Sequence, residues 1–426
     1  MGNNGKLHAK QRDTMHIVIV GHVDHGKSTL VGRLFYDTDS LPEGKYDAVA
    51  RVCEETGKPF EFAFLLDALE EERDQGVTID TAQARFHTVA RDYVLIDAPG
   101  HKEFLKNMVT GASSAEAAIL LIDAAEGVQE QSRRHGYLLH LLGIKQVTVA
   151  INKMDLVDYS REVFEAIKAE YLAFLRELDV IPASVIPVAA REGDNIARRS
   201  TRMSWYDGPT IVEALDSFTV RSPSEGRPLR FPVQDVYKFD QRRIIAGRVE
   251  SGTLAAGDEI VFSPSGRRGV VKTIERWSSP KTGPASAGES IGITLTEQLF
   301  VERGEIVSHA GSAPYQGEQL LANIFWLGNR HLTMGHPCVL KLATAEMPVQ
   351  VESVISVVDT ATLATAGERR EVAKNEVATV ILSLKKPVAF DVFTDIVETG
   401  RFVLVDGFDV AGGGIILQSV EASYSI

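Results

Sequence analysis

Cysteine is nearly absent: Cys53 and Cys338 are the only two in 426 residues, and they lie far apart. Two lone thiols make neither a disulfide framework nor a cysteine-rich metal cluster, so buried, unremarkable side chains in a reducing cytoplasm are expected. No run of ~20 apolar residues exists, which excludes a membrane-spanning helix. Residues 1–14 are polar and lack the apolar centre of a secretory signal, so a flexible leader is expected there. Helical repeats and low-complexity tracts are also missing. Positive charge is in the minority: 45 Lys and Arg against 58 Asp and Glu leave a net charge of −13, so no whole-protein attraction to nucleic acid is expected. What is present is an ordinary globular balance, in a chain longer than one hydrophobic core usually holds. Roughly two to four domains follow.

From residue 15 to 218 apolar runs alternate with helical patterns. Ile17–Val20, Tyr93–Ile96, Ala117–Ile122, Val147–Ile151 and Val185–Val188 are short, continuous and rich in Val and Ile, as strands buried on both faces of a parallel sheet must be. Helices are predicted over Ser28–Tyr36, Gln129–Leu142 and Arg161–Leu178. Another is predicted from Thr210, where Thr210 and Glu213 have capping-box spacing after Pro209. This is the pattern of an α/β doubly wound domain. Residues 219–228 are polar and proline-bearing and are expected to be a linker. Beyond them short β-rich runs recur between turn signals, with a second break near 311–316. The expected organisation is an α/β P-loop domain (15–218) followed by two all-β barrels (229–311 and 315–426).

The strand Ile17–Val20 leads into Gly21-His22-Val23-Asp24-His25-Gly26-Lys27-Ser28-Thr29, which fits G-x-x-x-x-G-K-[ST] in the required strand–loop–helix setting. Glycines let backbone N–H groups curl around phosphate oxygens, and the N-terminus of the following helix adds partial positive charge. Lys27 is expected to neutralise the β/γ-phosphates, and the Ser28 hydroxyl to ligate Mg²⁺. His22 and His25 are expected to shape the loop rather than take part in chemistry.

This motif alone does not choose between ATP and GTP. Asn152-Lys153-Met154-Asp155 follows the strand Val147–Ile151. The Asp155 carboxylate there can accept two hydrogen bonds from guanine N1 and the exocyclic amine, a pairing adenine cannot offer. The stem of Lys153 can lie along the base. Ala189-Ala190-Arg191 follows Val185–Val188 and would place a backbone N–H near guanine O6. In P-loop GTPases this loop usually has Ser where Ala189 stands, so a bracing hydroxyl is expected to be lost. Asp97-Ala98-Pro99-Gly100-His101 follows Tyr93–Ile96. Asp97 is expected to hold Mg²⁺ through a water, and Gly100 to donate its N–H to the γ-phosphate. Upstream, the Thr78 hydroxyl is expected to complete the Mg²⁺ shell. His101 is expected to position the attacking water. Arg133, Arg134 and His135 form a basic cluster read as a solvated helix face.

Together, G-H-V-D-H-G-K-S-T, G-V-T-I-D, D-A-P-G-H-K-E-F-L-K-N-M and N-K-M-D resemble the translation-factor class of GTPases, which joins a GTPase domain to β-barrels. The resemblance covers essentially everything after residue 14. It implies GTP and GDP as ligands and an apolar pair, Val23 and Val77, beside the catalytic histidine. Within the class, Gln131–His135, Asn152–Tyr159, Glu192–Ala197, Trp205–Pro209 and Leu229–Gln234 look like the sulfate-activating branch, although the last two types also occur in eukaryotic-type elongation factors. That branch implies an ATP-pyrophosphatase-type catalytic partner that makes adenylylsulfate. His22, His25 and Ala98 are instead spelled in elongation-factor style, which keeps a tRNA-carrying reading open, along with a paralogue serving another adenylylating or sulfur-handling partner. No second G-x-x-x-x-G-K-[ST] occurs, so no fused adenylylsulfate kinase is expected.

Overall fold

The computed structural model describes residues 13–65, 84–96, 115–178, 180–219, 226–239, 242–277, 282–359, 365–366 and 369–419. These fall into two compact units that divide between 219 and 226.

The first unit is built on a six-stranded sheet. Its strands are β1 (Thr14–Gly21), β2 (Ala84–His87), β3 (Asp92–Ile96), β4 (Ala117–Asp123), β5 (Gln146–Asn152) and β6 (Ser184–Pro187), in the order β2-β3-β1-β4-β5-β6. All neighbours are parallel except β2, which runs antiparallel to β3 at the edge. The continuous apolar runs become strands because both faces are covered: every residue of β4 is buried. Around the sheet lie α1 (Lys27–Asp37), α2 (Lys45–Thr56), α3 (Glu130–Leu141), α4 (Arg161–Glu177) and α5 (Ile211–Ser217). Helix α1 packs Leu30, Val31, Leu34 and Phe35 onto the sheet, at the spacing of one helical face. Helix α5 starts as its sequence predicts. Glu213 N–H donates to Thr210 Oγ1 at 3.2 Å, and Thr210 N–H donates to Glu213 Oε2 at 2.9 Å.

Three differences from expectation have physical causes. Strand β1 begins at Thr14, because Asp92 N–H donates to Asp13 O and the ladder extends into the segment expected to be a leader. Helix α2 buries only Cys53, so it has no apolar stripe to betray it. Strand β2 is four residues at a sheet edge, too short for a period.

The second unit contains two closed, antiparallel, six-stranded rings. In the first, strands Phe231–Phe239, Arg242–Arg248, Glu259–Ser263, Arg267–Glu275, Ser290–Leu295 and Ile306–His309 enclose Phe231, Phe262, Ile293 and Val307. In the second, Ala345–Val358 pairs with both Pro337–Leu342 and Val377–Phe390 and so closes a ring completed by Tyr315–Trp326, Arg401–Asp406 and Asp409–Ser419. Trp326, Leu340, Val380 and Phe402 lie in its core. Closure leaves no unpaired edge within either ring.

A buried ion pair joins the rings. Arg230 immediately precedes the first, and Asp391 follows strand Val377–Phe390 of the second. Their contact is bidentate, with Nε–Oδ2 and Nη2–Oδ1 both 2.7 Å, and the side chains are only 4% and 5% exposed. Thr399 Oγ1 also donates to Asp391, and Arg230 Nη1 donates to the carbonyls of Leu229 and Ser312. Every polar atom is thereby satisfied, the condition under which a buried pair is tolerated. Asp391→Ala should destabilise the second unit by about 3–5 kcal/mol, since it strands a buried guanidinium. The double change Arg230→Met with Asp391→Leu should cost much less. Denaturant unfolding followed by tryptophan fluorescence checks this; equal losses in the two variants would refute the account.

Candidate nucleotide-binding site

The site gathers at the carboxyl ends of β1, β4, β5 and β6. Strand β1 ends at Gly21 and passes through a 3₁₀ turn, Val23–His25, to Gly26 and α1. Gly26 has φ +88°, and a Cβ there would stand 2.6 Å from Asn152 Nδ2. Only glycine satisfies both the left-handed backbone and the close approach. Gly26 caps α1 without a side chain, leaving the helix N-terminus an arrangement that an anion completes. Lys27 Nζ donates to Gly21 O and His22 O, both at 2.8 Å, which holds the ammonium across the loop. Ser28 is exposed at the helix start and Thr29 half-buried behind it. The loop therefore fits a phosphate chain, and Ser28 fits a Mg²⁺ ligand.

Asn152, the last residue of β5, is 2% exposed and bonds in two directions. Its Nδ2 donates to His25 O at 2.8 Å, and its Oδ1 accepts from Ala190 N–H at 3.0 Å. Lys153 takes a left-handed backbone, φ +61°, and its Nζ lies 2.7 Å from Asp123 Oδ2. Asp123, 2% exposed, also accepts from Ala125 N–H. Met154 N–H donates to Val188 O, which ties this turn to the end of β6. A cavity of about 340 Å³ opens here, with Gly26, Thr29, Lys153, Asp155, Ala190 and Arg191 in its walls, large enough for a purine base.

Ala189 lacks the hydroxyl, but its loop is braced by backbone. Its carbonyl accepts from the N–H groups of Glu192, Gly193 and Asp194 at 2.8–3.2 Å, and its N–H donates to Asp194 O. Buried Asn195 adds a bond to Pro187 O and accepts from Ser200 N–H.

Within the candidate set, the structure brings together Gly21 to Thr29, Asn152, Lys153, Asp155 and Ala189 to Arg191. Thr78, Asp97, Gly100, His101 and Val77 lie outside the described residues. His22 and His25 both lie in the loop, and His25 is fully buried, with Nδ1 3.0 Å from Leu121 O. The basic cluster is less solvated than expected. Arg133 pairs with Glu170 of α4 at 2.8 Å and lies over the Phe174 ring, and Arg134 pairs with Glu130. Three contributors were missed. Asp123 was signalled by an acid closing the apolar run Ala117–Ile122. Asn195 had no signal beyond its loop. Phe62 lines the cavity beneath the Arg33 guanidinium, 4.8 Å away, and nothing in its sequence neighbourhood marks it.

Residues 12–221 match the family model described as the elongation factor Tu GTP binding domain, and residues 319–417 match the GTP-eEF1A C-terminal domain-like model. Sulfate adenylyltransferase subunit 1 of Aeromonas hydrophila is 38% identical over 99% of this chain and 90% of its own length. The counterpart from Aeromonas salmonicida is 37% identical over the same shares. Elongation factor 1-alpha of Pyrococcus horikoshii is 39% identical over 96% of this chain and 98% of its own.

Asn152→Ala should weaken GDP binding by about 10- to 100-fold, because it orphans the Ala190 N–H and leaves the His25 carbonyl without its donor. Titration with a fluorescent GDP analogue measures it; unchanged affinity would remove Asn152 from the site's framework. Asp155→Asn should shift preference from GTP toward xanthosine triphosphate. Competition between the two nucleotides tests this, and an unaltered preference would refute the role given to the carboxylate.

Proposed function

Because this chain belongs to the translation-factor class of GTPases related to elongation factor Tu, its activity is GTP hydrolysis, and we propose that it couples that hydrolysis to adenylylsulfate synthesis on a separate catalytic subunit. The observation carrying this reading is a single corner of the first unit. Three stretches that resemble the sulfate-activating branch meet there, the Trp205 stretch being of a type shared with eukaryotic-type elongation factors. Trp205 Nε1 donates to Tyr159 O at 3.1 Å, and Arg202 bonds the Tyr159 hydroxyl. Arg202 also faces Glu192 at 3.7 Å and Asp194 at 3.6 Å. Asp158 and Tyr159 both take left-handed backbones, a strained pair that this packing holds. The branch-like residues thus form one interlocked surface feature beside the guanine loop. The elongation-factor spelling of His22, His25 and Ala98 and the Pyrococcus relative favour the second reading, a carrier of aminoacyl-tRNA.

In the proposed cycle Asp155 selects guanine, and the loop from Gly21 to Ser28 cradles the phosphates. Gly100 donates its N–H to the γ-phosphate, and His101 orients the water that attacks it. Mg²⁺, held by the Ser28 and Thr78 hydroxyls and by Asp97 through water, would neutralise charge on the phosphate oxygens. The partner, an ATP-pyrophosphatase-type subunit, would bind the GTP and GDP states with different affinity and so draw work from hydrolysis. A cytoplasmic setting fits the thiols: both described cysteines are buried and free, and burial pushes Cys338 up to about 12, which keeps it protonated. Among the described residues no helix is long and apolar enough to cross a membrane.

The test is GTP turnover with and without the candidate catalytic subunit, ATP and sulfate. Adenylylsulfate should appear in step with phosphate. Stimulation by ribosomes and aminoacyl-tRNA, with no response to the partner, would establish the carrier reading instead. His101→Ala should lower turnover by about 10²-fold or more, with GDP affinity within twofold of the parent. An unchanged rate would remove His101 from the chemistry.

A further inference from the structure

His22, His25 and Glu126 converge beside the phosphate loop, and no step proposed above uses them as a group. One nitrogen from each histidine and one Glu126 oxygen all lie within 4.8 Å of one another. His25 is fully buried, and its Nδ1 faces the Leu121 carbonyl at 3.0 Å. A carbonyl only accepts, so Nδ1 carries the proton and Nε2 of the neutral ring presents a lone pair. That Nε2 is buried, makes no hydrogen bond, and stands 3.4 Å from Glu126 Oε2. His22 Nδ1 is likewise buried without a hydrogen-bond partner. The two rings are tilted by 52°, with centroids 5.4 Å apart.

A buried imidazole lone pair facing a carboxylate is unfavourable unless a proton or a metal ion lies between them, and a second imidazole stands close enough to share such an ion. We propose that His22, His25 and Glu126 form a divalent transition-metal site, with Zn²⁺ as the ion its chemistry suits best. Two nitrogens and one oxygen are a donor set for Zn²⁺ rather than for Mg²⁺ or Ca²⁺, which favour all-oxygen shells. Tetrahedral Zn²⁺, with bonds of about 2.0–2.2 Å, sets its ligand atoms roughly 3.3–3.5 Å apart, the separation His25 and Glu126 already have. His22 is half-buried and would have to close any remaining distance by side-chain rotation. The Leu121 carbonyl fixes the His25 tautomer, the usual second partner of a metal-bound histidine. Glu126 is 46% exposed, which leaves a fourth position open to water. The ion would pin the 3₁₀ turn Val23–His25 to the loop after β4, and with it the backbone that cradles phosphate.

The test is calorimetric titration of the purified full chain with Zn²⁺ alone, in excess Mg²⁺ to saturate the nucleotide-associated metal position. One ion should bind per chain, and Co²⁺ in its place should show the intense visible bands of a tetrahedral site. Glu126→Gln, at a half-exposed position, should raise the Zn²⁺ Kd at least ~10-fold while far-ultraviolet dichroism stays at the parent value. His22→Ala should weaken Zn²⁺ binding by a similar factor. Absence of saturable binding, the result expected if His25 and Glu126 form only a proton-mediated pair, overturns the proposal. So does a Glu126→Gln protein that binds Zn²⁺ with the parent's stoichiometry and Kd.

Discussion

The nucleotide site depends on one buried amide. Asn152 stands at the tip of β5, donates to the carbonyl of His25 in the phosphate loop, and accepts from the N–H of Ala190 in the loop after β6. Its own carbonyl accepts from Ala124 N–H, just past β4. A single residue therefore registers the ends of three strands whose loops come from different crossovers. Aspartate could not donate to the His25 carbonyl, and an apolar residue could do neither, so the amide's paired chemistry is what the position demands. Gly26 completes the constraint from the other side, since any Cβ there would collide with that amide.

Much of this was legible in the chain because the physics involved is local. Continuous Val- and Ile-rich runs become central strands, because helices cover both faces, and the capping box at Thr210 forms as spelled. The glycine–lysine loop and the Asn-Lys-x-Asp turn declare phosphate and guanine chemistry by residue type and spacing. What escaped is decided by tertiary partners. Helix α2 presents almost no apolar face, and Phe62 reaches the cavity only because the chain after that helix returns toward α1. Ala189 is the instructive case. The missing hydroxyl suggested a weakened loop, yet a carbonyl accepting three N–H groups and buried Asn195 provide the bracing. Sequence displays which side chains are absent, but not which backbone groups replace them.

Sequence identity does not decide between the two functional readings, since a sulfate adenylyltransferase subunit and an elongation factor lie at 38% and 39%. The hydrophobic cores serve either function, so they hold no information about the partner. Discrimination has to come from residues that neither nucleotide binding nor folding requires. The Tyr159–Arg202 contact, which lies outside the walls of the nucleotide cavity, is of that kind. It follows two successive left-handed backbone positions, Asp158 and Tyr159, beside the guanine loop.

The two halves of the nucleotide have to be treated differently by any GTPase that acts as a switch. A partner senses hydrolysis only through contacts that differ between GTP and GDP, and contacts common to both states shift nothing however strong they are. In the proposed cycle Asn152, Lys153 with Asp123, and the braced Ala189 loop hold the base and the shared phosphates in either state. They secure affinity and specificity without signalling. The discriminating free energy must therefore arise at the γ-phosphate, where Thr78, Gly100 and His101 are placed by the proposed cycle. A metal joining His22 and His25 to Glu126 would belong to the first group. By stiffening the cradle, it would confine the response to hydrolysis to the γ-phosphate side.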